Sequence, residues 1–127
     1  MGVRKKYTPF YEERGNMHFP FIFCVKKEVS RMRESKFQSD LIKTLKKMFP
    51  NCIIMKNDSS YIQGIPDLTV LYKDKWAALE CKKESNAKRR PNQDYYIGLL
   101  DKMSFARFIY PENKEEVLNE LQQAFCT

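Results

Sequence analysis

The apolar positions in the first half of the chain predict a helix that begins near Ser30. Large apolar side chains recur there at helical spacing and should face a core, at Phe37, Leu41, Leu45 and Met48. Extending this stripe back by three residues places Glu34 on the same face. We therefore expect the Glu34 carboxylate at the edge of the core, one turn before the apolar residues begin.

A second interpretation of the same stretch stays open. The helix begins at Ser35, whose hydroxyl forms a capping box with Gln38. Glu34 then lies just outside the helix, in solvent.

Shorter apolar runs along the rest of the chain predict strands at 52–56, 67–72, 76–82 and 105–110. A helix capped by Asn92 runs to about Met103, and another covers 114–125. The predicted order is helix, three strands, helix, strand, helix. This order predicts an α/β (α+β) fold, in which helices pack on a mixed sheet.

The first 33 residues differ from the rest in composition. Residues 1–18 are basic, aromatic and irregular, which is typical of an arm. The apolar run at 18–25 predicts an added strand, which Pro20 would confine to a sheet edge. We therefore expect a basic N-terminal arm with an edge strand at 1–33 and one folded domain at 34–127.

The charge of the chain is strongly basic and unevenly placed. The formal net charge is +7, from 23 Lys and Arg against 16 Asp and Glu. Residues 1–33 hold eight basic residues against three acidic ones, whereas residues 34–127 hold fifteen against thirteen. A surplus of this size favours a polyanionic partner, nucleic acid before a membrane. A basic protein without such a partner is the alternative.

The cysteines indicate a reducing compartment. Four cysteines stand at 24, 52, 81 and 126, without a C-x-x-C pair or a nearby His pair. This spacing supports neither a zinc site nor a disulfide framework.

The longest apolar run, at 19–25, is too short for a membrane span or a signal peptide. We expect a cytoplasmic protein.

Charged residues stand at neighbouring ends of the predicted hairpin formed by 67–72 and 76–82. Alternation along the second strand places Glu80 and Lys82 on one face, about 6.5 Å apart, and Cys81 on the other. A turn centred on Asp74 pairs Asp67 with Cys81, give or take one residue. The Asp67 and Glu80 carboxylates should therefore converge at one end of the sheet.

Two carboxylates at one sheet end repel each other unless a cation lies between them. Lys82 can supply that cation through a salt bridge. Alternatively, the two carboxylates and a backbone carbonyl form a set of hard oxygen ligands that suits Mg²⁺. The hairpin by itself favours neither interpretation over the other.

These residues resemble the motif of the PD-(D/E)xK nuclease superfamily. Pro66-Asp67 matches the first half of the motif and Glu80-Cys81-Lys82 the second. More narrowly, the chain resembles the small virus-type replication-repair nuclease (VRR-NUC) branch, of phage or mobile-element type. The similarity covers about residues 34–110 and rests on the combination of Asn57, "GIPDL" at 64–68, "ALECK" at 78–82 and "NQDYY" at 92–96.

The resemblance implies a restriction-endonuclease-like αβββαβ core and a metal-dependent DNA endonuclease that leaves 5′-phosphate and 3′-hydroxyl ends. The cofactor implied is Mg²⁺, for which Mn²⁺ substitutes. The implied metal ligands are Asp67, Glu80, the Cys81 carbonyl and Glu34, which binds directly or through water. Lys82 is the implied catalytic lysine, and Gln93 matches a glutamine near the active site of the family.

A DNA partner also requires groups that offset the acidic cluster. The candidates for phosphate contacts are Lys88, Arg89 and Arg90 in a basic loop, and Arg4, Lys5 and Lys6 in the arm. The preferred function is a branched-DNA or Holliday-junction resolvase in replication, recombination or repair, acting as a homodimer because two strands must be cut. The alternatives are a nicking or restriction-like nuclease on linear duplex, and a non-catalytic DNA-binding module.

Overall fold

The structure, a computed structural model, describes the backbone of residues 18–127 and the side chains of residues 29–127. Its elements follow the predicted order: α1 His18–Met48, β1 Ile53–Lys56, β2 Leu68–Tyr72, β3 Lys75–Cys81, α2 Gln93–Met103, β4 Ala106–Ile109 and α3 Lys114–Cys126. A short 3₁₀ helix, Pro111–Asn113, precedes α3. The predicted mixed sheet with packed helices is confirmed.

The four strands form one sheet in the order β1-β2-β3-β4. The pairs β1–β2 and β2–β3 are antiparallel, and β4 runs parallel to β3. Helix α2 and the turn after it connect β3 to β4, as a parallel pair requires.

The hairpin register differs by one residue from the prediction. Tyr72 pairs with Lys75, so the turn holds only two residues, and its first residue has a φ of 57°. The predicted turn was centred on Asp74 and one residue longer. The shorter turn brings Asp67 opposite Glu80 instead of Cys81.

The apolar core lies on one face of the sheet, beneath α1 and α3. The predicted stripe of α1 is confirmed, since Leu41 and Leu45 are fully buried and Phe37 and Met48 pack against the core. The strands and α3 contribute Leu68, Val70, Ala77, Leu79, Cys81, Ile109, Val117, Leu118, Leu121 and Phe125. Burial of these side chains provides the main driving force for folding.

The opposite face of the sheet carries α2. The predicted alternation along β3 is confirmed: Ala77, Leu79 and Cys81 join the core, whereas Glu80 hydrogen-bonds to Gln93 at the start of α2. At the far end of α2, the Ser104 hydroxyl donates to the Trp76 carbonyl. The sheet thus separates an apolar face from a face that holds the charged residues.

The N-terminal predictions need correction. Residues 18–25 belong to α1, so the predicted edge strand is wrong. A continuous apolar run does not distinguish strand from helix by periodicity, and a proline in a first helical turn loses only an N–H that has no partner within the helix. Both predicted starts of the helix, Ser30 and Ser35, are also wrong, because α1 begins at His18. Glu34 therefore lies well inside the helix.

The chain divides into two units between Arg33 and Glu34. All the contacts described below lie within the second unit. Arg4, Lys5 and Lys6 of the predicted arm lie outside the described residues. Across residues 18–127, the helices are too short or too polar to cross a membrane.

Gly64 fixes the loop before β2 against the start of α2. Its φ is +92°, and a Cβ there would lie 2.6 Å from the Asn92 Cβ and 2.7 Å from the Asn92 carbonyl carbon. Asn92 itself has a φ of 71° and makes no side-chain capping hydrogen bond, so the predicted cap is not formed. Both the backbone angle and the close approach require glycine at position 64.

We therefore expect Gly64→Ala to lower the free energy of unfolding by more than about 1 kcal/mol. The strain of a positive φ adds to the displacement of Asn92 by the new methyl group. The matched control is Gly98→Ala in the exposed middle of α2, where nothing lies within 4 Å of the added Cβ. That variant should gain about 0.5–1 kcal/mol. Urea unfolding curves would measure both, and equal effects would contradict this role of Gly64.

Candidate active site

The ends of β2 and β3 hold two carboxylates against each other's backbone. The Asp67 N–H donates to Glu80 Oε1 at 3.1 Å, and the Cys81 N–H donates to Asp67 Oδ2 at 3.0 Å. Glu80 is only 3% exposed, whereas Asp67 is partly exposed. The predicted convergence of these two carboxylates is confirmed, with a register that brings them closer than expected.

Lys82 lies beside this pair and is almost as deeply buried, with 7% of its surface exposed. Its Nζ donates to Gln93 Oε1 at 2.8 Å and to the Lys88 carbonyl at 3.3 Å. The same atom lies 3.6 Å from Glu80 Oε2, so the ion pair offered by the sequence is present. An ammonium has three donors, and these three acceptors can occupy all of them.

Gln93 connects the lysine to the glutamate. Its Oε1 accepts from Lys82 Nζ and from the Arg90 N–H, both at 2.8 Å, and its Nε2 donates to Glu80 Oε2 at 2.9 Å. The side chain is 6% exposed. A buried amide with all these bonds has one favourable orientation. Gln93 therefore holds Lys82 and Glu80 in fixed positions.

Burial disfavours the ionised form of each carboxyl group at the site. Burial, and then the Asp67 charge, raise the pKa of Glu80 to about 7, against the opposing effect of Lys82. Burial also raises the pKa of Asp67, despite the Cys81 N–H and Lys82. In α1, burial and then the Asp67 charge raise the pKa of Glu34. The Asp67 charge therefore disfavours the ionised forms of both Glu80 and Glu34.

Cys81 can offer only its backbone to this site. Its side chain is completely buried in the core on the other face of the sheet, and burial raises the pKa of its thiol far above the usual range. The thiol thus stays protonated and cannot serve as a nucleophile or a ligand.

The candidate metal ligands do not form a closed cage. Across residues 18–127, no group of three or more His, Cys, Asp or Glu residues could hold a metal ion. The structure brings Asp67 and Glu80 into contact, whereas Glu34 is linked to them by charge alone. Such a site has two carboxylate ligands and leaves other positions on an ion to water or to substrate.

The basic loop after β3 is bound to the site through its backbone. The Lys88 carbonyl accepts from Lys82, and the Arg90 N–H donates to Gln93. The side chains of Lys88, Arg89 and Arg90 are exposed. Arg89 pairs with Asp94 at 2.5 Å, and its guanidinium lies 4.0 Å from the centre of the Phe108 ring. The backbone of this loop therefore adjoins the site, and its three basic side chains are open to solvent.

Asn57 is the positioning residue whose role the sequence did not reveal. Its N–H donates to the Asp67 carbonyl at 2.8 Å, and its Nδ2 donates to the Pro66 carbonyl and to Thr69 Oγ1, both at 2.9 Å. The available signal was an Asn directly after a short strand. Only the antiparallel pairing of β1 with β2 brings it beside Asp67.

Comparisons with protein-family models, with curated proteins and with solved structures gave no match to this chain.

The raised pKa of Glu80 predicts how the metal-free protein responds to pH. Between about pH 4.5 and pH 7 the folded Glu80 holds a proton that an unfolded chain has lost. The contribution of this residue to the free energy of unfolding should therefore fall as pH rises through that window, by about 3 kcal/mol at most.

Carboxyl ¹³C NMR of the metal-free protein would measure the titration directly, and we expect a midpoint for Glu80 near 7. A midpoint at the ordinary value of 4.5 would show that the contacts of Glu80 with Lys82 and Gln93 fully offset the effects of burial and of the Asp67 charge.

Proposed function

We propose that this chain is a metal-dependent DNA endonuclease that leaves 5′-phosphate and 3′-hydroxyl ends. The observation that carries the proposal is the buried contact between Asp67 and Glu80, with Lys82 held beside them by Gln93. The helix, the antiparallel three-stranded meander, the second helix and the parallel fourth strand support a restriction-endonuclease-like core as part of this proposal.

The donor chemistry fits Mg²⁺, with Mn²⁺ as a substitute. Mg²⁺ usually binds through one or two carboxylates, keeps several waters and uses substrate phosphates as further ligands. Asp67, Glu80 and the Cys81 carbonyl would hold it, and Glu34 would bind through water. When bound, the ion polarises the phosphate and lowers the pKa of coordinated water. A cation there would also favour the ionised carboxylates, against the burial that raises their pKa values.

Lys82 would act on the substrate and not on the metal. Its ammonium is fixed by Gln93 and by the Lys88 carbonyl, so it points at the site without needing a ligand bond. It would hold the attacking water or offset charge on the phosphate. The water oxygen bonds to phosphorus, the bond to the 3′ oxygen breaks, and that oxygen leaves with a proton as the 3′-hydroxyl.

The preferred substrate is branched DNA, which a homodimer would resolve because the described residues of one chain form one such site. Exposed Lys88 and Arg90 would contact phosphates beside the cleaved bond. A nicking or restriction-like enzyme on linear duplex uses the same groups, and only a comparison of DNA structures separates the two.

A non-catalytic DNA-binding module is favoured by one observation, the ion pair between Lys82 and Glu80 at 3.6 Å. This pair partly neutralises the cluster without metal. Burial, and then the Asp67 charge, nevertheless leave Glu80 with a pKa of about 7 beside Lys82, so the arrangement is costly without a further cation. The costly arrangement supports the enzyme over the module.

We expect Asp67→Ala and Glu80→Ala to abolish cleavage while DNA binding persists or tightens, because each removes a metal ligand and an anionic charge. The assay uses purified protein with Mg²⁺ or Mn²⁺ on linear, nicked, flapped and four-way DNA. Asp74→Ala, at the exposed turn of the same hairpin, is the matched control and should cleave normally. Cleavage that survives in EDTA or in either site variant would sink the metal mechanism.

Variants of Lys82, which is proposed not to bind the metal, should behave differently from those of the two metal ligands. Lys82→Ala should lose cleavage but still bind metal in calorimetry, and Lys82→Arg should also be poor because a planar guanidinium does not replace a compact ammonium. Loss of metal binding in Lys82→Ala would instead show that the lysine organises the ligands.

The basic loop sets the salt dependence of binding. Changing Lys88, Arg89 and Arg90 together to Ala should weaken binding to all sequences alike and reduce the slope of log affinity against log salt by roughly 2–3 on duplex DNA. The control changes exposed Lys46 and Lys47, which lie roughly 18 Å along α1 from Glu34. Equal slopes for wild type and the loop variant would assign these charges to solvated surface.

A further inference from the structure

A cavity of about 550 Å³ opens on the same face of the sheet as Glu80. Its walls include Asp58, Tyr61 and Ile62 from the loop after β1, and Trp76 and Leu100 from β3 and α2. The volume lies within the range of small-ligand sites. The nuclease chemistry proposed above uses none of these side chains.

The cavity adjoins the carboxylate pair directly. Thr69 and Ala78 line it, and they face each other across β2 and β3. One step along the same face, about 6.6 Å away, lie Asp67 and Glu80. This distance is comparable to the span between a phosphate and the base of the same nucleotide. A nucleotide whose phosphate lies at Asp67 therefore reaches the cavity with its base.

The walls suit a flat aromatic ring with a polar edge. Trp76 is half-buried, Tyr61 is 86% exposed, and Ile62 adds an aliphatic surface. Nucleobases stack on such aromatic side chains whatever their sequence. Asp58 supplies the polar group, and its Oδ1 accepts from the Ser60 N–H and hydroxyl. These bonds lower the pKa of Asp58, so it is an acceptor for amino groups at neutral pH.

We propose that this cavity binds one unpaired nucleobase of the strand whose phosphate lies at Asp67 and Glu80. Its ring packs against Tyr61 and Trp76, and its exocyclic amino group donates to Asp58. The proposal rests on the nuclease function and names its substrate class. A base inside an intact duplex enters a cavity only if it is unstacked and unpaired first, so DNA that already offers an unpaired nucleotide is favoured, as branches, flaps and single strands do.

Trp76 makes the test direct, because it is the only tryptophan of the chain. Its fluorescence is followed while short homopolymers of deoxyadenosine, deoxycytidine or thymidine, and an abasic strand of equal length, are added to the full chain in EDTA. The base-containing strands should quench Trp76 and bind more tightly than the abasic strand. Deoxyadenosine and deoxycytidine should bind more tightly than thymidine, and Asp58→Asn should remove that preference.

Tyr61→Ala should weaken binding of the deoxyadenosine strand roughly 5- to 100-fold, the loss expected for one base–aromatic stack, and leave abasic binding unchanged. Tyr61→Phe keeps the ring and should behave as wild type. Tyr95→Ala removes another exposed tyrosine, which does not line the cavity, and should also bind normally.

Equal affinity for base-containing and abasic strands, or no effect of Tyr61→Ala, would overturn the proposal. The titration contains no divalent metal, so it is independent of cleavage. Base-dependent quenching in a protein that never cleaves DNA would reject the nuclease function and retain the base site. Cleavage without base-dependent quenching would retain the nuclease function and reject the base site.

Discussion

The buried carboxylate of Glu80 and the partly exposed carboxylate of Asp67 converge at the end of the β2–β3 hairpin, and the surrounding residues are arranged to tolerate them. Asp67 and Glu80 each accept a backbone N–H from the opposite strand, which fixes their positions but does not neutralise them. Lys82 brings one positive charge, and Gln93 holds that charge in place. Removing water from like charges costs more than these contacts return, and so the pKa of Glu80 rises to about 7. We propose that a divalent cation bound at the two carboxylates resolves this conflict.

Side chains on one face of β3 stabilise the fold, and those on the other face form the candidate site. On one face Leu79 and Cys81 pack in an apolar core that is independent of charge. On the other, Glu80 and the cavity beside it present polar and aromatic groups toward α2. The rigid core allows the charged face to keep an arrangement that would be unstable alone. Gly64, pressed against Asn92, holds the loop and α2 together over that face.

Local patterns predicted most of the fold, and pairing between distant segments decided what they missed. The periodicity of α1 and the alternation of β3 predicted which side chains are buried, because each depends on neighbours in sequence. The register differs by one residue, within the tolerance of the prediction, since turn length sets it and the sequence does not indicate that Lys73 adopts a positive φ. The apolar run at 18–25 had no period to mark it as helix. The hydrogen bonds of Asn57 to Pro66 and Thr69 depend on strand pairing, so the sequence could not predict them either.

Paramagnetic Mn²⁺ offers the most direct test of the central claim, that the crowded carboxylates hold a divalent ion. In an NMR titration of the chain with substoichiometric Mn²⁺, the amide signals of Asp67, Glu80 and Cys81 should broaden first. Excess Mg²⁺ should restore them, and Asp67→Asn should abolish the effect. Broadening that begins at exposed acidic residues elsewhere, such as Asp74 or Glu112, or that spreads evenly, would contradict the account.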